Sequence, residues 1–156
     1  LSIAIMKKKK FGKLDFKKYH PSGNLANKLK IAKDLMLTKK KIPFVNENEI
    51  MKNALKILNA KKLGFIVIIN NQGLNSGIFT DGDLKRIMQK KRKIDNIKIK
   101  SFMNRSPYIV EEKSLATEIL ANMNKRKITN VCVYKKENKK KIVGVIHIHH
   151  LLKILR

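Results

Sequence analysis

Gly77-Ile78-Phe79-Thr80-Asp81-Gly82-Asp83-Leu84-Lys85-Arg86 is the stretch whose reading decides the fold. Its first three residues are a short apolar strand after the polar turn cluster Asn70-Asn71-Gln72-Gly73. From Asp81 to Gln89 the pattern becomes helical. Thr80 stands where a helix N-cap belongs, and Asp83 occupies the third helical position, a capping-box variant. Such a cap contributes about 1 kcal/mol and requires no ligand. The same geometry has a second use. A hydroxyl and unpaired N–H groups at a helix start can hold phosphate, and a carboxylate such as Asp83 can accept hydrogen bonds from a ribose diol. Both readings stay open, because one residue can serve as cap and as ligand contact.

Working outward, the elements around this junction occur twice. Met36 opens the first copy. Ile42-Pro43-Phe44-Val45 is extended, with the proline restricting it to a sheet edge. Glu49 to Lys61 carries Ile50, Met51, Ala54, Leu55, Ile57 and Leu58 at helical spacing, and Phe65 to Ile69 is an unbroken apolar strand expected to be buried on both faces. Met103 opens the second copy. There Pro107-Tyr108-Ile109-Val110 is extended, Ser114 to Arg126 is an amphipathic helix, and Val131-Cys132-Val133-Tyr134 is the buried strand. Glu137-Asn138-Lys139-Lys140 reads as a polar turn, Ile142 to Ile146 as the paired strand, and His149 to Leu155 as the last helix. Leu63 matches Ile128, Ile66 matches Val131, Gly77 matches Gly144 and Leu84 matches Leu151. Each copy alone has a thin core, so the two halves are expected to pack sheet against sheet.

The β-α-β-β-α order with this junction resembles the CBS domain, over roughly Asp34 to Arg156. The fold expected is therefore α/β (α+β): a tandem CBS pair, with residues 31–95 as the first domain and 96–156 as the second. The resemblance implies that the clefts between paired domains bind adenosine nucleotides or related ligands. It assigns ligand-binding roles to Gly77, Thr80, Asp81, Asp83 and, at the second junction, His147. That second junction departs from the pattern, with His147 in the place of Thr80 and His150 in the place of Asp83, which argues against two equivalent nucleotide sites. His147, His149 and His150 invite a metal reading. On a strand-to-helix turn they would point apart, with no acidic or cysteine partner nearby in sequence, so the preferred role for His147 is to cap the helix or line a pH-sensitive cleft.

Residues 1–30 belong to neither copy. Asp15-Phe16-Lys17-Lys18-Tyr19-His20-Pro21-Ser22-Gly23-Asn24-Leu25 is similar to the segment that closes the Rossmann-like sugar isomerase (SIS) domain of arabinose 5-phosphate isomerases. Two further stretches resemble that family: Gly77 to Arg86, and Gly144-Val145-Ile146-His147-Ile148-His149-His150-Leu151-Leu152. Ser22, Ala26 and His150 depart from it, replacing two family glycines and an aspartate. The resemblance implies that His20 is the catalytic histidine of an aldose–ketose isomerisation between ribulose 5-phosphate and arabinose 5-phosphate, serving octulosonate and lipopolysaccharide synthesis. The remaining catalytic groups lie on a domain this sequence does not contain, so the segment alone is expected to be inactive. On local sequence alone the favoured reading of His-Pro-Ser-Gly is a plain turn. The alternative reading is a freestanding CBS module for nucleotide binding or protein contact, without enzymatic activity.

Composition excludes more than it assigns. The formal net charge is +26, carried overwhelmingly by lysine in a chain also rich in isoleucine and asparagine. That joint bias is what AT-rich coding produces, and no interleaved aromatics form a base-stacking platform. Weak, salt-sensitive attraction to polyanions follows, with no specific nucleic-acid partner. There is no apolar run near the ~20 residues a membrane span needs, and no basic-then-apolar secretion signal. A lone cysteine, Cys132, rules out an internal disulfide framework and suits a reducing cytoplasm. The opening residue is leucine, which predicts further sequence upstream. No cofactor is expected to be required. The implied partners are a regulatory nucleotide or nucleotide sugar and further copies of the chain in a homo-oligomer, with no membrane partner.

Overall fold

A computed structural model describes residues 24–90 and 93–155. His20, and with it most of the segment that resembles an isomerase tail, lies outside the described residues. Among those described, six helices and six strands form two matched three-stranded sheets.

In the first sheet the order is β1 (Phe44–Asn46), β2 (Phe65–Ile69), β3 (Asn75–Thr80). β1 runs parallel to β2, and β3 antiparallel to it. β1 is the edge strand, as Pro43 demands, since proline cannot donate to a ladder. The second sheet repeats this as β4 (Ile109–Glu111), β5 (Asn130–Lys135), β6 (Asn138–His147). α1 (Asn24–Lys28) and α2 (Ala32–Leu35) precede the first sheet. α3 (Met51–Lys61) and α4 (Asp81–Gln89) belong to the first half, α5 (Ala116–Arg126) and α6 (Ile148–Leu155) to the second. α3 and α5 each begin two residues later than helical periodicity suggests, because the residues before them are spent on backbone bonds elsewhere. Glu49 donates its N–H to Asn46, and Ser114 to Glu111, closing turns rather than a helix.

The polar stretch expected to turn at Glu137–Lys140 differs more. The chain reverses at Lys136-Glu137, and Asn138 already belongs to β6. Lys139, Lys140 and Lys141 lie between the Tyr134–Ile142 and Lys135–Asn138 pairs, displaced from the ladder and exposed. A solvated irregularity within a strand and a polar turn have the same composition, which is why sequence could not separate them.

Three apolar clusters hold the molecule together. One lies between the first sheet and its helices, with Met51, Ala54, Leu58, Ile66, Ile68 and Phe79. Its counterpart contains Ala116, Ile119, Met123, Val131, Val133 and Ile146. The third joins the sheets face to face through Ile42, Phe65, Val67 and Ile78 of one and Cys132, Ile142 and Val145 of the other. Alternation along β2 explains the division: even-numbered residues face helices, and odd-numbered ones face the other sheet. Phe65, Ile66, Val67 and Ile68 are therefore all fully buried, each stabilising the fold by about 1.5–3 kcal/mol. Burial also pushes the Cys132 thiol up to about 12, leaving it protonated.

The two halves exchange their opening segments. Leu37 forms a two-bond bridge with Val145 of β6, and α2 packs Ala32 and Leu35 into the second half's core. Reciprocally, Asn104 bridges Ile78 of β3, and Ile94, Ile99 and Met103 pack into the first half's core. Each opener runs across a glycine. A Cβ on Gly77 would meet the Asn104 carbonyl oxygen at 2.4 Å, and one on Gly144 would meet Met36 Sδ at 2.3 Å.

Candidate ligand cleft

The first junction is built as its sequence suggests. Thr80 Oγ1 accepts from the Asp83 N–H at 3.2 Å, and Asp83 Oδ2 accepts from the Thr80 N–H at 2.9 Å. The Thr80 hydroxyl also donates to Oδ2, at 2.8 Å. Asp83 Oδ1 pairs with Arg86, one turn along α4. A carboxylate offers about four acceptor positions. These contacts occupy three, so Asp83 can accept from one ligand hydroxyl without surrendering its cap.

At the second junction His147 Nδ1 accepts the His149 N–H at 3.3 Å, a long single contact in place of the reciprocal box. Its ring lies 4.9 Å from that of His149. Burial, then the neighbouring charges of His149 and His150, hold the His147 imidazole below its ordinary value of 6.5. The accepted hydrogen bond requires the same neutral form. Among the described residues no cluster of three His, Cys, Asp or Glu side chains is placed to hold a metal ion.

Sheet-on-sheet packing brings the junctions to one cleft. Phe65 pairs with Thr80 and Asn130 with His147, so each pair projects toward the opposing sheet. Where the apolar interface ends, a cavity of about 730 Å³ opens, within the range of small-molecule sites. Thr80, Asp81, Asp83 and His147 all line it. Gly77 does not, and its lack of a side chain is used instead for the close passage of Asn104.

Several lining residues carried no individual signal. Gly64, in a left-handed turn at φ 74°, brings backbone to the first junction. Tyr108, Arg126 and Lys127 come from the second half, with the Arg126 guanidinium 4.5 Å from the Tyr108 ring centre. Asn130 begins β5 and is only 7% exposed. A polar residue opening an apolar strand, at the position matching Phe65, was the available clue.

Comparison with known proteins agrees with this architecture. The sequence profile of the CBS domain matches residues 32–90 and 99–156, so the chain belongs to the CBS-domain family. It is 34% identical over 154 residues to arabinose 5-phosphate isomerase KdsD of Yersinia pestis, covering 98% of this chain and 46% of that protein. The Escherichia coli KdsD gives the same figures. The chain thus spans about half the length of these relatives and corresponds to their CBS part. Among solved structures, CBSX2 in complex with AMP superposes with a TM-score of 0.66 at 19% identity, over 79% of this chain and 93% of that one. The CBS pair of MJ0100, in complex with 5′-methylthioadenosine and S-adenosyl-L-methionine, gives 0.70 at 22% identity, over 80% and 94%. Among the described residues no helix is long and apolar enough to cross a membrane.

Proposed function

We propose that this chain is the ligand-sensing CBS pair of a cytoplasmic D-arabinose 5-phosphate isomerase, binding a nucleotide or nucleotide sugar in the cleft between its halves. The observation that carries the reading is the cleft itself. A helix N-terminus with a reciprocal Thr80–Asp83 box shares one cavity with His147 of the second junction and with Arg126 and Lys127 at the end of α5. The Gly82 N–H at the start of α4 and the basic side chains suit phosphate, while the free acceptor position on Asp83 suits a ribose hydroxyl. AMP and S-adenosyl-L-methionine in structural neighbours support this class of ligand, and 34% identity along nearly the whole chain supports the isomerase parent.

In that parent, His20 is the catalytic histidine of ribulose 5-phosphate–arabinose 5-phosphate interconversion, and the pair tunes the reaction while helping to assemble a homo-oligomer. Differential binding is the only way a ligand can do this, favouring one arrangement of the parent over another. Calorimetric titration of the chain with AMP, ATP, CMP and the CMP-activated octulosonate tests the binding. Heat and a thermal shift with at least one are expected, and silence with all four would sink the reading. Isomerase assays of the full-length parent with the ligand that binds then test regulation, with a changed kcat or KM expected.

A further inference from the structure

We propose that Asn130 is the residue that recognises the ligand's base, through hydrogen bonds to a donor–acceptor edge. This rests on the nucleotide reading of the cleft and adds to it a specificity determinant.

Asn130 stands apart chemically. It is the one polar residue among the buried side chains described, at 7% exposure, and its carboxamide makes no hydrogen bond among the described residues. The amide is not sealed in, because it lines the cleft and opens onto it. In the first half Phe65 fills the equivalent place at the start of β2 and is fully buried. The second half thus presents an amide with unused donor and acceptor capacity to whatever enters the cleft.

Its direction is set by the sheet. In an antiparallel ladder, directly opposed residues project to the same face. Asn130 opposes His147, and both line the cavity. Two residues on, Cys132 faces the same way into the inter-sheet core. Asn130 thus sits where that core gives way to the cleft. Leu63, Ile78 and Ile128 supply apolar walls around it, and Tyr108 an aromatic one. A planar heterocycle fits such walls, while a carboxamide presents one donor and one acceptor side by side, complementary to the amino-bearing edge of adenine or cytosine. Phosphate would use only the donor. The cationic groups Arg126 and Lys127 serve it better.

The test uses two variants and one ligand change. AMP, ATP and CMP are titrated into the wild-type chain, N130L and N130A, and whichever binds is compared with its analogue lacking the exocyclic amino group. N130L should fold with a nearly unchanged Tm, since no hydrogen bond within the chain is lost, yet bind the nucleotide at least tenfold more weakly. Wild type should prefer the nucleotide over its des-amino analogue by about tenfold. N130L and N130A should bind both alike. Unchanged affinity in N130L, or a preference for the amino group that survives in both variants, overturns the inference and leaves the nucleotide reading standing. Wild-type chain that binds none of the three nucleotides overturns this inference, and silence with the CMP-activated octulosonate as well overturns the nucleotide reading with it.

Discussion

The two strand-to-helix junctions occupy equivalent places in a duplicated fold, yet they are held differently. At the first, three hydrogen bonds of 2.8–3.2 Å link Thr80 and Asp83, and Arg86 adds an ion pair. At the second, one 3.3 Å contact from His149 to His147 takes their place. The lesson is that duplication preserved the backbone path while the chemistry diverged. Glycines and apolar cores are matched between halves. Caps and cleft residues are not, so the cleft is polarised rather than two-fold.

The matched features give the largest expected effect. If the glycines exist to let the exchanged openers pass, both alanine variants must destabilise. Gly77→Ala forces a Cβ onto the Asn104 backbone and should cost about 2–3 kcal/mol, the upper range for overpacking. Gly144→Ala meets the Met36 side chain, which can turn aside in part, and should cost about 1–2 kcal/mol. Urea unfolding measures both, and a harmless Gly77→Ala would break the account of the exchange.

Next come the caps. Thr80→Ala removes the reciprocal box and should lose about 1 kcal/mol. His147→Ala removes one long contact and should stay within about 0.5 kcal/mol of wild type. Equal losses in the two unfolding curves would erase the distinction between the junctions.

The smallest effect is with pH. Because His147 is held below 6.5 in the fold, the unfolded chain takes up its proton first as pH falls. Stability should therefore rise with pH through the region at and just below 6.5, and decline on acidification. His147→Gln should flatten this slope, while Thr80→Ala should leave it intact. Thermal melts between pH 5 and 8, about the window in which an unperturbed histidine titrates, decide the point. A slope unchanged in His147→Gln would assign it to other groups.

The unusual charge belongs to neither junction. The non-glycine residues described with positive φ are Lys39, Lys62 and Lys127, all at turns or helix ends where glycine or asparagine would sit with less strain.

What could be read from sequence were features made by neighbours along the chain. The duplicated β-α-β-β-α order, the fully buried run Phe65 to Ile68, the edge position after Pro43 and the Thr80–Asp83 cap all depend on residues within a turn or a strand of one another. Hydropathic period and capping chemistry are local, so they survive without coordinates. Tertiary structure alone decided which segments met. Sequence order places Met36 and Leu37 at the head of the first half, yet they pack on Gly144 and Val145 of the second. Gly77 does not line the cavity, and its bare backbone admits the crossing Asn104. Asn130 gained its place in the cleft only when the ladder set it opposite His147 at the edge of the inter-sheet core. These outcomes arise from close packing between residues distant in the chain, where the surface one sheet leaves uncovered determines what the other must bring.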